Sequence, residues 1–322
     1  MKTRKLGSLE VSELGFGCMG MSHAAGAPMS IEDGAEVLRA AVDAGYTYFD
    51  TAKNYGNVND PYHNEKILGR AFARMRDKVI IGSKTGVEFD YDVDPDRPPL
   101  IYDSSRESIR KSVEGSLKRL GTDYIDLYFQ ARIDPKVEPE DVAETMAELI
   151  KEGKILHWGV SEAPLDYLKR AHAVCPLTAV ENNYSILNRD HEDAIPFLEE
   201  NNIGWVAQGT LVKGLLTGAY KKGATYARDD WRSHSLSDKN LDKHAPLLAY
   251  LAQLGEQKNA TPGQLSLAWV LSRKPYIVPI PGTTKKERLV ENAGAVAFSL
   301  TENEMAEIDR IIKEISENSK QG

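Results

Sequence analysis

The sequence predicts an α/β fold, a closed (β/α)8 TIM barrel with an N-terminal β-hairpin and a C-terminal helix. Eight short, mostly apolar strand segments alternate with amphipathic helical segments along the 322 residues. Strands of this composition are buried on both faces, as in a parallel sheet. A count of eight favours the closed barrel over an open doubly wound sheet. Residues 1–322 are expected to form a single domain, because no Pro/Gly/Ser-rich linker or low-complexity tract divides the chain.

The N-terminal segment is expected to be a hairpin followed by a short first strand. Residues 2–13 have the alternating pattern of a β-hairpin. The next residues place Gly15, Gly17 and Gly20 in a G-x-G-x-x-G spacing. A dinucleotide fingerprint needs a helix that begins at the last glycines, whereas residues 22–28 are of loop type. We therefore predict a strand whose glycines allow another segment to pack closely.

The predicted helices share an apolar stripe at three- and four-residue spacing, and several begin with capping residues. In chain order they begin at or near Ser30, Asn64, Ser104, Val142, Leu165, Glu192, His244, Lys286 and Thr301. Ser104 to Glu107 is interpreted as a capping box, and residues 244–274 as one helical region. Residues 87–103 and 212–243 are expected to be a polar loop and a longer excursion.

The predicted barrel strands lie between these helices and end in polar or small residues. They cover residues 14–17, 46–50, 79–84, 124–129, 155–160, 177–180, 204–207 and 277–280. In such a barrel the chemistry occurs where strands run into βα loops. The residues at or just after these ends include Asp50, Lys84, Ala131, Ser161, Glu181, Gln208 and Thr283.

An acid, a tyrosine and a lysine stand out among these positions. Asp50 ends one strand, Tyr55 follows it in a turn-like segment, and Lys84 ends the next strand. An ammonium near a phenol stabilises the phenolate and lowers its pKa from about 10. A carboxylate holds such an ammonium in place, so the three residues have the composition of a tuned proton donor. The alternative is an ordinary salt bridge beside a half-buried tyrosine.

Motifs along almost the whole chain, in order, extend this interpretation. They are Phe49-Asp50-Thr51-Ala52 with Tyr55-Gly56, Lys84, Asp126-Leu127-Tyr128, Gly159-Val160-Ser161, Asn183-Tyr184-Ser185, Leu215-Leu216-Thr217-Gly218, and Pro279-Ile280-Pro281-Gly282-Thr283 through Glu291-Asn292. Together they resemble the aldo-keto reductase family. The resemblance implies a (β/α)8 barrel that binds NADPH without a Rossmann domain, and a catalytic tetrad of Asp, Tyr, Lys and His. Three members of that tetrad match Asp50, Tyr55 and Lys84.

The fourth member departs from the family pattern. Where the family has Gln-His-Arg-x-Asp-Pro, this chain has Gln130-Ala131-Arg132-Ile133-Asp134-Pro135. Ala131 therefore stands in the place of the histidine that would orient the carbonyl. Losing one positioned donor typically costs roughly 10²–10³ in rate. Two origins are compatible with this: a substitution introduced to trap substrate or cofactor, or a natural departure in a member with altered chemistry.

The resemblance also implies the cofactor contacts. It places them at Ser161, Glu181, Gln208, Thr283, Lys285, Arg288, Glu291 and Asn292. Many members have Gln where Glu181 stands, and an ionised Glu cannot donate to the nicotinamide carboxamide. Gln208 stands where the family often has an aromatic residue. Thr283, Lys285 and Arg288 fall where the family binds the adenosine 2′-phosphate, and Glu291 and Asn292 fall where it holds adenine. The phosphate-binding positions favour NADP over NAD, although a solvated helix start is the alternative.

Composition and charge limit the cellular locations and the classes of binding partner that we expect for this protein. The net charge of −8, with acids and bases interspersed, disfavours nucleic acid and anionic membranes. No apolar run has the length of a transmembrane helix, and the basic N-terminus leads into no signal core. Two cysteines form no disulfide framework, so a cytoplasmic location is expected.

The sequence thus favours an NADPH-dependent reductase of aldehydes or ketones, with activity reduced by Ala131. The alternative is a nicotinamide-binding regulatory or sensing subunit with little turnover. A metal-dependent hydrolase is disfavoured, and no metal site is expected, because the seven histidines do not pair at ligand spacing. His23, in the first βα loop, either approaches the substrate or is a plain loop residue.

Three loops, at about 22–29, 85–103 and 212–243, are expected to determine the small-molecule substrate. Their large aromatic residues either line an apolar pocket or pack the loops. These residues are Tyr91, Tyr102, Tyr226 and Trp231.

Overall fold

The computed structural model describes residues 1–95, 98–227 and 230–319, and within them an eight-stranded parallel sheet curls into a (β/α)8 fold. The strands are β1 (Thr3–Leu6), β2 (Leu9–Ser12), β3 (Phe16–Gly17), β4 (Tyr48–Asp50), β5 (Ile80–Thr85), β6 (Val87–Phe89), β7 (Leu100–Tyr102), β8 (Ile125–Gln130), β9 (Ile155–Ser161), β10 (Ala179–Asn183), β11 (Gly204–Gln208) and β12 (Ile277–Pro279). The sheet order is β3-β4-β5-β8-β9-β10-β11-β12, with parallel neighbours throughout. The predicted barrel is confirmed.

The helices form the outer layer. They are α1 (Ile31–Asp43), α2 (His63–Phe72), α3 (Arg106–Leu120), α4 (Pro139–Lys151), α5 (Leu165–Val174), α6 (Ile195–Glu200), α7 (Arg232–Ser235), α8 (Asp238–Lys243), α9 (Ala245–Lys258), α10 (Pro262–Arg273), α11 (Lys286–Ala293) and α12 (Glu302–Ser319). Short 3₁₀ turns cover Met19–Met21, Arg76–Lys78, Glu192–Ala194, Val212–Thr217 and Gly294–Ala297. Within the described residues, no helix combines the length and the apolarity needed to cross a bilayer.

The first and last barrel strands meet through glycine. The Gly15 N–H donates to the Pro279 carbonyl at 3.0 Å. A Cβ on Gly17 would lie 2.6 Å from the Ile280 carbonyl oxygen, closer than real Cβ atoms approach. A Cβ on Gly20 would meet only the Ala25 methyl, at 3.8 Å, and no α-helix begins before Ile31. Gly15 and Gly17 therefore allow the close packing that was predicted, whereas Gly20 takes no part in it.

The hairpin β1–β2 packs against one end of the barrel. Its register runs from Thr3 opposite Ser12 to Leu6 opposite Leu9. Leu6 lies so close to Gly204 that a Cβ there would be 2.4 Å from the Leu6 Cα. An apolar cluster continues from this hairpin into the barrel. It comprises Leu6, Val11, Tyr48, Leu127, Phe129, Ala179, Val206, Val278 and Ile280.

The start of α3 differs from the predicted capping box at Ser104–Glu107. The N-cap is Ser105, whose hydroxyl accepts from the Ser108 N–H. Ser104 is buried, its N–H donates to Asp134 at 3.0 Å, and its hydroxyl accepts from Gln130 at 2.9 Å. These tertiary bonds occupy Ser104, so the cap falls one residue later.

Three predicted segments contain more structure than expected. Residues 244–274 form two helices, because Asn259 adopts φ 52° and Thr261 opens α10 with a capping box. The predicted polar loop 87–103 contains the antiparallel pair β6–β7, and the excursion 212–243 contains α7 and α8. Residues 96, 97, 228 and 229 of these loops lie outside the described residues. The strands β6 and β7 and the helices α7 and α8 are too short to show a periodicity from which they could be predicted.

Replacing Gly17 tests the closure of the barrel. Gly17→Ala is expected to lower the free energy of unfolding by about 1–3 kcal/mol, because the new methyl meets backbone that cannot move aside easily. Gly20→Ala is the matched control, with an expected change within about 0.5 kcal/mol. Urea unfolding followed by circular dichroism measures both, and equal stability of the two variants would contradict this account of Gly17.

Candidate active site

Asp50 and Lys84 meet at the carboxyl ends of neighbouring strands. Strands β4 and β5 pair with Asp50 opposite Gly82, which brings Lys84 just beyond the end of β4. The Lys84 Nζ donates to Asp50 Oδ1 at 2.5 Å and to the Thr51 carbonyl at 3.0 Å. Only 3% of Asp50 and 4% of Lys84 are exposed. The ion pair is therefore buried at the mouth of the barrel.

Glu181 approaches the same ammonium from β10. Its Oε2 lies 3.2 Å from Lys84 Nζ, and only 1% of the residue is exposed. Burial and the nearby Asp50 raise the pKa of the Glu181 carboxyl to about 8, against the lowering effect of Lys84. Burial lowers the pKa of Lys84, but Asp50 and Glu181 outweigh it and raise this pKa, so the ammonium stays charged. The sequence did not indicate that Glu181 joins this cluster.

Tyr55 lies beside the ammonium on a well-held turn. Its carbonyl accepts from the Ser22 hydroxyl at 2.7 Å and from the Asn64 N–H at 3.1 Å. The Lys84 Nζ lies 5.4 Å from the centroid of the Tyr55 ring. The three residues predicted to act together, Asp50, Tyr55 and Lys84, are thus brought to one place.

The pKa of Tyr55 corrects one expectation. We expected Lys84 to bring this pKa below its ordinary value, and Lys84 does act in that direction. Burial is the larger effect, and Asp50 and Glu181 add to it, so the pKa of Tyr55 is raised to about 12. The reason is that the lowering effect of Lys84 is smaller than the combined effect of burial and the two neighbouring acids. The phenol is therefore protonated at neutral pH.

Ala131 directly follows β8 and presents only a methyl group. Its N–H donates to the Thr85 carbonyl at 2.8 Å. The neighbouring Arg132 donates through Nη1 to the Ala131 carbonyl at 2.6 Å and to the Ser161 hydroxyl at 3.4 Å. The positive charge of Arg132 also lowers the pKa of Tyr55, so Arg132 belongs to this region. Sequence reasoning missed Arg132, although it adjoins position 131.

Glu162 organises the mouth above β9 to β11. It has φ 54°, a backbone conformation that residues other than glycine adopt rarely. Its Oε1 accepts from the Asn183 N–H and from Gln208 Nε2, each at 2.7 Å, and its Oε2 lies 3.2 Å from His191 Nε2. Gln208, predicted as a cofactor residue, is thus held by Glu162. The unusual φ could not be read from the sequence.

Polar atoms without partners remain beside this network. Among the residues that the structure describes, Glu181 Oε1 and the buried amide nitrogen of Asn182 lack a hydrogen-bond partner, and Glu181 Oε2 lies 3.2 Å from the Lys84 ammonium. Buried polar groups are normally satisfied. These atoms therefore suit a ligand that both donates and accepts, as a carboxamide does.

A second group of predicted residues surrounds the start of α11. The Thr283 hydroxyl accepts from the Lys285 N–H at 3.1 Å, and Arg288 Nη1 lies 3.6 Å from Glu291 Oε2. Within the described part of the chain, no acid pairs with Lys285. Lys286 instead pairs with Glu36 at 3.1 Å. Two cations thus stand at a helix N-terminus, an arrangement that suits a phosphate.

The last two predicted residues, Glu291 and Asn292, lie on α11 next to α10. Glu291 Oε1 accepts from the Thr261 hydroxyl at 2.9 Å, and Asn292 is buried. The predicted adenosine-binding residues therefore lie on one helix and the loop before it.

A cavity of about 610 Å³ opens next to Tyr55. Its walls come from the three loops predicted to determine the substrate, together with residues 56–59. Tyr91 and Trp231 line it, whereas Tyr102 and Tyr226 are absent from its walls. Tyr226 instead packs within its loop, near the Arg232 guanidinium, and Tyr102 on β7 is exposed. The cavity reaches Gly56, and its wall residue His23 lies against the Tyr55 ring at 5.9 Å between centroids.

Comparison with known proteins gives a consistent result. A sequence model of the aldo/keto reductase family matches residues 13–313. The chain is 38% identical over 309 residues to the probable aldo-keto reductase 1 of Glycine max, covering 94% of this chain and 87% of that protein.

Solved structures resemble the whole fold. The glycerol dehydrogenase of Gluconobacter oxydans superposes with a TM-score of 0.86 at 27% identity, covering 97% of this chain and 95% of that one. An aldo/keto reductase from Klebsiella pneumoniae, in complex with NADP and acetate, superposes with a TM-score of 0.72 at 26% identity, with coverage of 97% and 95%.

The raised pKa of Glu181 has a measurable effect on stability. Between its ordinary value of 4.5 and about 8, the folded protein keeps a proton that the unfolded chain releases. Stability is therefore lost as the pH rises through this window. We expect Glu181→Gln to gain roughly 2–5 kcal/mol over the original protein between pH 4.5 and pH 8. Urea unfolding at a series of pH values measures this gain, and a difference that does not vary with pH would contradict it.

Proposed function

Because this chain belongs to the aldo/keto reductase family, we propose that it reduces an aldehyde or a ketone to an alcohol with NADPH. The observation that carries the proposal is the meeting of Asp50, Lys84 and Tyr55 beside a cavity at the carboxyl ends of the strands. A buried acid–base cluster at this end of a barrel is where catalysis is expected.

The residues present fit a nicotinamide dinucleotide phosphate. When bound, that cofactor supplies the hydride. Glu181 and Asn182 carry unpartnered polar atoms that suit its carboxamide, and protonation lets Glu181 donate despite replacing a glutamine. Lys285 and Arg288 suit the 2′-phosphate. The complex of the Klebsiella pneumoniae relative with NADP supports the same choice.

Tyr55 supplies the proton in this proposal. Its pKa of about 12 keeps the phenol protonated at neutral pH, so the acid is available in essentially every molecule. The oxygen of a carbonyl that receives a hydride becomes an alkoxide, which is a stronger base than phenolate and takes the proton. Lys84 then stabilises the phenolate through its charge, and Asp50 keeps Lys84 in position.

Ala131 weakens the orientation of the carbonyl. A methyl group cannot donate to the developing oxyanion, and the loss of such a donor costs roughly 10²–10³ in rate. We propose that activity is impaired for this reason, whether the alanine is introduced or natural. The same alanine favours a second candidate, a nicotinamide-binding regulatory subunit with little turnover. Capture of a stable protein partner, with no turnover after a histidine is restored, would support that candidate.

Restoring the imidazole tests the reductase proposal. Ala131→His is expected to raise kcat/KM by on the order of 10²-fold or more, because it returns a hydrogen-bond donor to the carbonyl. NADPH oxidation with a broad panel of aldehydes and ketones measures the gain. NADPH affinity, followed by fluorescence, should stay nearly unchanged. The absence of any gain across the panel would overturn the proposal.

The cofactor preference can be tested at α11. Arg288→Ala is expected to weaken NADPH binding by about 10–100-fold and to leave NADH binding nearly unchanged, because only NADPH carries the 2′-phosphate. Lys286→Met is the matched control: it removes a neighbouring charge that pairs with Glu36. Fluorescence titration measures all four affinities, and an equal loss for both cofactors, or for both variants, would contradict the assignment.

A further inference from the structure

His23 is a buried histidine in the wall of the cavity. Only 7% of it is exposed, and three aromatic rings surround it. The ring centroids lie 5.9 Å from Tyr55, 4.9 Å from Phe89 and 5.3 Å from Trp231. The backbone N–H of Trp231 donates to the Ala24 carbonyl at 3.0 Å, which connects the segment 212–243 to the loop that carries His23.

One hydrogen bond determines the tautomer of His23. Its Nδ1 lies 2.7 Å from the Gly56 carbonyl oxygen, which can only accept, so the proton is on Nδ1. Burial lowers the pKa of His23, which keeps the imidazole neutral. Nε2 is therefore an unprotonated acceptor. It is buried, and no group among the described residues donates to it.

This tautomer rules out one role and leaves another. His23 cannot replace the missing donor at position 131, because Nε2 has no proton to offer to a carbonyl oxygen. It can only accept. A buried acceptor without a donor is destabilising, so a ligand that brings a donor recovers this energy. Lys213 also lines the cavity, and its positive charge favours a neutral O–H over a charged ammonium as that donor.

We propose that His23 Nε2 accepts a hydrogen bond from a hydroxyl group of the substrate, and that the preferred substrates are carbonyl compounds with a hydroxyl on the adjacent carbon. This inference rests on the proposed role of Tyr55 as the proton donor. The His23 and Tyr55 rings are stacked, with their centroids 5.9 Å apart and their planes 12° apart. Because the two rings are this close, a substrate that contacts both carries its carbonyl and its hydroxyl a short distance apart, and the adjacent carbon gives the shortest such spacing.

The test compares two ketones of nearly equal size, hydroxyacetone and 2-butanone. In the Ala131→His background, kcat/KM with NADPH is expected to favour hydroxyacetone by about tenfold or more. His23→Phe should bring that ratio to about unity, because it removes the acceptor and keeps an aromatic ring. His234→Phe is the matched control, since exposed His234 lines the same cavity. It should keep the preference.

A binding measurement separates this inference from the proposed function. With ¹⁵N-histidine labelling and the NADP⁺ complex, the Nε2 resonance of His23 should shift on addition of hydroxyacetone but not of 2-butanone. A protonated Nε2, or equal responses to both ketones, would overturn the role of His23. Turnover of both ketones without a preference would also overturn it. If neither ketone is reduced by any variant, the proposed function fails for them, while the resonance still decides the role of His23.

Discussion

The buried ion pair between Lys84 and Asp50, with Glu181 as a second acid, is the constraint on which the site depends. Burying a single charge is costly unless it is paired, and here one ammonium lies next to two acids, Asp50 and Glu181. The consequence is an uneven distribution of protons. Lys84 stays charged, whereas Glu181 and Tyr55 both hold protons more tightly than in water. A change at any one of these residues therefore alters the protonation of the others.

The barrel supplies the rigidity that this cluster needs. Asp50, Lys84 and Glu181 come from three strands of one parallel sheet. The distance between Asp50 and Lys84 follows from the register of the neighbouring strands β4 and β5, whereas Glu181 reaches Lys84 from β10. Glycines at the junction of the first and last strands allow the backbones to approach closely. The loops, by contrast, carry the cavity walls. The strands thus hold Asp50, Lys84 and Glu181, whereas Tyr55 and the cavity walls lie on segments that follow the strands.

Two positions differ in what they offer a substrate: position 131, which lacks an imidazole, and His23, which has one. Position 131 carries a methyl group, so the proposed reaction lacks one donor to the carbonyl oxygen. His23 lies against the Tyr55 ring and offers an acceptor, because its hydrogen bond to the Gly56 carbonyl fixes the proton on Nδ1. A donor and an acceptor have different roles in the proposed reaction. A donor at position 131 would assist the reaction at the carbonyl, whereas the acceptor of His23 would bind a neighbouring group of the substrate. Activity and specificity are therefore expected to respond to different residues.

The sequence by itself determined the barrel, the order of its strands and the identity of Asp50, Tyr55 and Lys84 as a group. These follow from strand composition, helical periodicity and residues at strand ends, which are local properties of the chain. Only the tertiary structure showed that Glu181 shares the charge of Lys84, that Ser104 is engaged by Asp134 and Gln130, and that His23 carries its proton on Nδ1. The physical reason is that burial, pKa and tautomer depend on groups that are distant in the chain. The sequence of one segment does not show which distant groups will contact it after folding.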